Sequence, residues 1–537
     1  MSDKNNTYDV IIIGSGISGL TCASLLASIY KKKVLVLEQH GKIGGFTHTF
    51  KRKAKYEWDV GLHYVGGMKP GEMTRAVFDL ITQRQVSWQK MPDPFDVFVY
   101  PDFTFSQREG EDNFKQDLVR LFPEEGTNIR RYFDDLRRVN GWLGRQQMSQ
   151  LLPHWLKYFG ALLVLPGRRM ATSLTGDYLT RHFKNERLKA ILTSQWGNYG
   201  LPPGKSAFAI HAVIVRHYMD GAYYPLGGSR KIAESIAPVV EKAGGALLGR
   251  HRVTEIINDG QRASGVRCSE QLNTGTVEKE FYARTIISAA GALNTYANLL
   301  PANMTGPALR KLEMFKPGIS TVSLFIGLKD DPSVLGWHGE NYWLYTGINH
   351  DQIFASRNLL LEGTVSALFI SFPSLKNPEA VSHTMEILAF LDYAPFKTWA
   401  NQQVKKRDED YQALKEKIAK AIIHFVEKRF QGFSEMIDYY ELGTPLTIEH
   451  YAAQPAGNIY GIPGQPERYL SDGISYRTPL KNVYLTGADT AGHGIVGAMM
   501  SGVLTTALIS GLPYHLLKIF STAKKYQSLM KDRNADY

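Results

Sequence analysis

Cysteine is nearly absent: the 537 residues hold two, Cys22 and Cys268. Two thiols build no disulfide scaffold. Neither sits in a CxxC pair or beside a histidine, so both are expected to be structural residues of a protein from a reducing compartment. The N-terminus, MSDKNNTYDV, lacks an apolar core, which argues against a secretory signal and for a cytoplasmic location. Zinc-finger spacing, RNP-like runs and arginine-rich arms are missing, so nucleic acid is not an expected partner. The histidines of EQHGK and FTHTF lack metal-ligand spacing, and no metal is expected. There is no internal repeat and no low-complexity tract. Acidic residues are outnumbered, 51 against 62 Lys and Arg, and the net charge of +11 favours contact with an anionic membrane face. Hydrophobic residues make up 44%, enough for a large core without staples, and the length suits about three or four domains.

The stretch DVIIIGSGISGLTCASLLASIYKKKVLVLE carries the first strong signal. Tyr8–Ile13 is a β-branched run suited to a buried parallel strand. Gly14, Gly16 and Gly19 follow in GxGxxG spacing. The first permits the turn, the second lets the backbone approach a pyrophosphate, and the third lets the next helix pack closely. A helix is predicted from about Ile17 to Ile29, with Ile17 and Ser18 at its phosphate-facing N-terminus. A second strand over Lys33–Leu37 ends in Glu38, 19 residues after Gly19, where a carboxylate accepts hydrogen bonds from ribose hydroxyls. Strand, glycines, helix, strand and acid in this order predict a dinucleotide site.

Past Glu38 and Gln39 comes a second glycine pair, Gly44-Gly45, where a nicotinamide domain would enter another helix. This order resembles the FAD-binding half of the amine oxidase and phytoene desaturase superfamily. Many members have arginine after the pair; here it is Phe46, so main-chain N–H groups and Thr47 or Thr49 are expected to serve the pyrophosphate, with His48 near the cofactor. Near the C-terminus, NVYLTGADTAGHGIVGA places a strand, Gly487 and Asp489 before an apolar helix. The resemblance implies that Asp489 meets the ribityl or pyrophosphate region and that Ile495 and Val496 open a helix aimed at the flavin. Ile495–Leu512 is uncharged and almost long enough to span a bilayer, but the preceding strand and acidic turn favour a buried helix. In the middle, a helix over about Ser229–Lys242 precedes a strand near Val253, which the superfamily lays along the adenine, and Ile286–Gly291 completes the nucleotide domain.

The motifs EWDVGLHYVGG, HAVIVRHYMDGAYYPLGGS, NTYANLLP and ELGTPLTIEHYAAQPAGNIYG are more specific, and with the others they resemble the retinol saturase family from about Tyr8 to Leu512. The expectation is an α/β fold: a discontinuous, three-segment Rossmann-like FAD-binding domain (1–68, 223–300, 479–515) with an inserted α+β substrate domain (69–222, 301–478) and a basic amphipathic segment (516–537). The resemblance implies an FAD-dependent oxidoreductase that saturates a C=C bond of a retinoid or related polyene. The alternatives are a carotenoid or phytoene desaturase, a redox-neutral cis–trans isomerase, and, further off, an amine oxidase or a non-catalytic flavin lipid carrier. No stable nicotinamide domain is read in the sequence, so electrons are expected from NADH or NADPH docking transiently, from a protein carrier or from a membrane quinone.

Saturating an unpolarised polyene needs a hydride on one carbon and a proton on the other, so an acid near the flavin is sought. His63, Tyr64 and His493 are the candidates, and His211, His217, Tyr223 and Tyr224 are further polar residues of the middle motif. Asp59 either orients His63 or makes an ordinary structural hydrogen bond. In the helix DEDYQALKEKIAKAIIHFVEKRF, Tyr411, Leu414, Ile418, Ile422 and Phe425 with Asp408 form a stripe expected to be core. HWLKYFGALLVLPGRRM is too short to span a bilayer; Trp155, Tyr158 and Phe159 with Lys157, Arg168 and Arg169 suit either a membrane interface or a core helix with basic ends. The C-terminal YHLLKIFSTAKKYQSLMKDR reads equally as a solvated helix or a second surface anchor.

Overall fold

The run that begins the chain becomes the strand Thr7–Ile13, whose last four residues are buried. It is the centre of a sheet in the computed structural model, which describes residues 6–152, 156–315, 318–470 and 474–528. Val34–Leu37 pairs with it in parallel on one side, and Ala246–Leu248 extends that edge. On its other side lies the long strand Gly275–Ser288. The C-terminal end of that strand pairs in parallel with Thr7–Ile13 and with Val483–Leu485, while its N-terminal part runs antiparallel to Ala263–Leu272. Three distant stretches of chain therefore share one parallel core, and the α/β, Rossmann-like reading holds.

The helix Ile17–Tyr30 crosses this sheet with Ile17 to Ala27 all buried. Gly19 is obligatory there, since a Cβ would sit 2.3 Å from the Gly14 carbonyl oxygen. Helix Gly494–Ser510 packs against it, and Cys22 Sγ donates to the Gly502 carbonyl at 3.3 Å. Burial raises the Cys22 thiol to about 12 and the Cys268 thiol to about 11, so both are unreactive at neutral pH. Among the described residues no helix is long and apolar enough to cross a membrane. Helix Tyr514–Ser528 adds Leu516, Ile519 and Ala523 to the same core, against helix Met73–Ile81. The described part of the C-terminal segment is thus a docked helix rather than a free one, because its apolar stripe finds a partner face; residues 529–537 lie outside the described residues.

A second sheet stands apart from the first, in the order Ile437–Gly443, Ser320–Leu328, His383–Leu391, Ala367–Ser371, Asn341–Tyr345, Asp96–Val99, Thr104–Gln107. Asn341 pairs with Asp96, so the two long insertions join in one sheet. Helix Glu409–Glu427 covers it with Tyr411, Ile418 and Ile422 buried and Leu414 and Phe425 partly so. Asp408 is not in that stripe: it is the N-cap, accepting from the Tyr411 N–H at 3.0 Å. Helices Gly126–Leu151 and Phe208–His217 roof the space between the sheets with an aromatic-rich core.

Candidate functional site

Between the two sheets lies a cavity of about 1010 Å³. One wall is made by the turns at the ends of the parallel strands. Gly14, Gly16, Ile17, Ser18, Glu38, Gln39, Gly45, Phe46, His48, Val253, Gly487, Asp489, Ile495 and Val496 all line it. Gly19 and Gly44 lie behind this surface and shape it: Gly19 admits the helix, and the Gly44 N–H donates to Ser15 Oγ at 2.9 Å. Gly45 is left-handed (φ 56°), and a Cβ on it would lie 2.9 Å from Gly16 Cα, so the two glycine turns touch.

The acids on this wall are held by main-chain donors. Glu38 accepts from the Ser15 N–H at 2.9 Å and hydroxyl at 2.6 Å through one oxygen, and from the His40 N–H at 2.8 Å through the other. Asp489 accepts from the Ala292 and Ile462 N–H groups, both at 2.8 Å, and so ties the third sheet segment to the loop at Gly461. Ser15, an unspecified position of the GxGxxG turn, and the buried Arg468, which donates to the Ala488 carbonyl at 2.5 Å, were not foreseen. Thr47 lines the cavity with its hydroxyl turned to the Gly44 carbonyl (2.8 Å). Thr49 is not available to a pyrophosphate, because its hydroxyl donates to Glu57 at 2.6 Å on the neighbouring strand.

An elongated dinucleotide fits this wall. Gly16 and Gly494 face open space, with nothing within 4 Å of an added Cβ. His493 caps the helix whose first residues line the cavity, and its Nδ1 is buried without a hydrogen-bond partner among the described residues. Glu38 and Val253 would take the adenosine half, the Gly16–Ser18 and Gly45 N–H groups the pyrophosphate, and the Gly494–Val496 helix terminus the flavin.

The proton-donor candidates divide. His63 lines the cavity and passes Nδ1 to Glu386 Oε2 at 2.7 Å, leaving Nε2 without a protein partner among the described residues. Burial, then the nearby Lys376 charge, pulls its pKa down to about 4. Asp59 does not orient it: that carboxyl accepts from the Tyr224 hydroxyl and from the Ser229 N–H at 2.8 Å. Tyr64 also lines the cavity, with its hydroxyl donating to Asp96 at 3.1 Å and accepting from Asn198 at 2.8 Å, while burial drives its pKa well up. His493 has Nε2 2.5 Å from Arg468 and 2.6 Å from the Ile462 carbonyl, and burial with the Arg468 charge lowers it to about 3, so it stays neutral. His211 is buried between the Tyr132 and Tyr199 hydroxyls, away from the cavity. His217 lines it, but its Nε2 is used by the Gly66 N–H at 2.9 Å. His48 lines it and shares Nδ1 with the Gly45 carbonyl at 2.5 Å, and Tyr223 does not reach it. Glu386 was missed in the sequence, although a lone acid inside the apolar strand HTMEILAFL was a usable sign.

Facing the cradle, the second sheet presents Phe325, Trp343, Phe369, Leu388 and Phe390, and the roof adds Ile210, Val213 and Ile214. Greasy surface therefore covers the space where a flavin ring would lie.

The flavin containing amine oxidoreductase family matches residues 17–510. An all-trans-retinol 13,14-reductase of Danio rerio is 35% identical over 544 residues, covering 97% of this chain and 88% of its own. A chloroplastic prolycopene isomerase of Arabidopsis thaliana is 28% identical over 526 residues, covering 93% of this chain and 82% of its own. In fold, the structure resembles cyclohexylamine oxidase from Brevibacterium oxydans, with a TM-score of 0.57 and 15% identity over 98% of this chain and 99% of that one. The chain belongs to the flavin containing amine oxidoreductase family and, within it, to the branch of the all-trans-retinol 13,14-reductases, the retinol saturases.

Proposed function

We propose that the protein is an FAD-dependent reductase of a C=C bond in a retinoid or related polyene. The observation that carries this reading is the juxtaposition of a dinucleotide cradle with an aromatic and aliphatic wall across one cavity, with the His63 imidazole beside that wall. Bound flavin supplies a hydride equivalent. The chain's own residues do the rest: Phe325, Phe369, Leu388 and Phe390 accept an extended apolar chain and exclude water, and His63 presents Nε2 to it.

NADH or NADPH docking transiently is the proposed electron source, with a protein carrier or a membrane quinone as the alternatives. Peripheral membrane contact is proposed through helix Lys157–Val164 and its sequel, where Tyr158, Phe159, Leu162, Leu163 and Leu165 are exposed beside Arg168 and Arg169. His154 and Trp155 lie outside the described residues. A cytoplasmic-side location on a membrane agrees with a substrate that dissolves in lipid.

The test is incubation of the purified, flavin-loaded protein with all-trans-retinol under reducing conditions, read by mass spectrometry. A product heavier by two hydrogens supports saturation. Unchanged mass with altered retention supports the isomerase alternative, which the Arabidopsis relative favours, and an unaltered substrate overturns both.

A further inference from the structure

Behind His63 lies a polar cluster sealed inside the second sheet. Glu386, fully buried, gives Oε2 to His63 Nδ1 at 2.7 Å, and its Oε1 makes no hydrogen bond among the described residues. Lys376, also buried, donates to the His63 carbonyl at 3.0 Å and to Asn341 Oδ1 and Ser371 Oγ, both at 2.6 Å. Asp59 and Asp96 complete the set. These three buried carboxyls, with the buried Glu340 further off, face the buried Lys376 ammonium, so they cannot all be ionised.

The hydrogen bonds say which carboxyl keeps a proton. Asp59 accepts from Tyr224 and Ser229; Asp96 accepts from Gln195 at 2.8 Å, Tyr64 at 3.1 Å and Asn341 at 3.2 Å. Donors of this kind stabilise a carboxylate. Glu386 is met by fewer donors, the Asp59 main chain and His63, and its Oε1 makes no hydrogen bond among the described residues, which is the costly place for a negative charge.

Resting on the reading of the protein as a polyene reductase, we infer that Glu386 is the proton reservoir behind His63, which together relay one proton into the cavity. A protonated Glu386 donates to His63 Nδ1 and so places the imidazole proton on Nε2, toward the cavity. Nε2–H gives its proton to one carbon of the double bond, whose other carbon takes the hydride equivalent from reduced flavin. As Nε2 loses its proton, Nδ1 takes the one on Glu386, leaving a neutral imidazole and a carboxylate. After product leaves, Nε2 takes a proton from water and Nδ1 returns one to Glu386. Lys376 is a positioning residue, pinning the His63 backbone and steadying the transient carboxylate.

The titration of the cluster agrees. Burial raises Glu386 to about 8, against the Lys376 charge and the Asp59 backbone. Burial raises Asp59 to about 6, helped by Glu386, and burial likewise raises Asp96 to about 6. Burial lowers Lys376 to about 8, opposed by Glu386, Asp96, Asp59 and Glu340. With His63 lowered to about 4, the neutral acid–imidazole pair spans roughly pH 4 to 8.

The test is nitrogen-15 NMR of histidine-labelled protein, with His63 assigned through H63Q, alongside single-turnover reduction across pH. The wild type is expected to carry the Nε2–H tautomer at pH 7 and to move to Nδ1–H as pH rises through about 8, with the rate falling in the same range. E386Q is expected to keep its flavin, to lose the pH-dependent tautomer shift, and to reduce substrate about 100-fold more slowly with a flattened profile. E386D is expected to restore the pH dependence in part. A wild-type His63 whose tautomer ignores pH overturns the relay, and so does an E386Q that keeps the wild-type rate and profile. Should E386Q fail to fold, the wild-type tautomer titration and E386D still decide. A wild type that holds flavin but leaves every polyene unchanged sinks the proposed function instead, and the NMR then judges the relay alone.

Discussion

The two walls of the cavity treat their acids in opposite ways. The cradle holds Glu38 and Asp489 largely with main-chain N–H groups: Ser15 and His40 for one, Ala292 and Ile462 for the other. The facing wall meets Glu386 with the His63 imidazole and the Asp59 main chain and leaves its Oε1 without a hydrogen bond among the described residues. Backbone donors are fixed by local turns and hold a permanent charge in a permanent place. A carboxyl short of donors is poorly stabilised as an anion and therefore carries a movable proton. One wall is built to bind, the other to exchange.

The largest effect should come from the cradle. G19V forces atoms into the space where even a Cβ would meet the Gly14 carbonyl at 2.3 Å. The expected outcome is loss of bound flavin, read from the visible absorbance, with about 3 kcal/mol or more of stability lost in a denaturant melt. A yellow variant as stable as the wild type would break the idea that backbone contact defines this wall. Next is Glu38→Ala, which strips the acceptor from three donors at Ser15 and His40. Calorimetric titration with FAD is expected to show affinity weakened about 10-fold or more, at about 1–3 kcal/mol for the orphaned donors.

The smallest effect sharpens the other side. A buried acid whose folded pKa is raised favours folding below its unfolded value and loses that contribution as pH rises through its folded value. For Glu386 the contribution is complete below about 4.5 and gone above about 8. The melting temperature of E386Q, relative to wild type, is therefore expected to climb by a few degrees from pH 5 to pH 8.5. A gap that stays constant or narrows in the other direction would show that Glu386 is ionised throughout.

Legibility followed the same division. Gly14, Gly16, Gly19, Glu38 and Asp489 stood out because their roles depend on short spacings and local turns, and all but Gly19 reach the cavity surface. His63 and Tyr64 were legible as candidates, while Glu386 was not, being 323 residues from the imidazole it meets. For Asp59, four positions before His63, the sequence left orientation of His63 and an ordinary structural hydrogen bond open; the strand Tyr56–Asp59 turns it toward Tyr224 and Ser229.

By itself the sequence determined the nucleotide half, since a strand, a glycine turn and a helix N-terminus generate their hydrogen-bond donors within a few residues of one another. Only the tertiary structure decided which carboxyl stands behind the imidazole. That choice rests on the second sheet bringing His383–Leu391 and Pro373–Lys376 to the His63 segment, and on which buried carboxyl meets the fewest donors among the described residues once all the strands are in place.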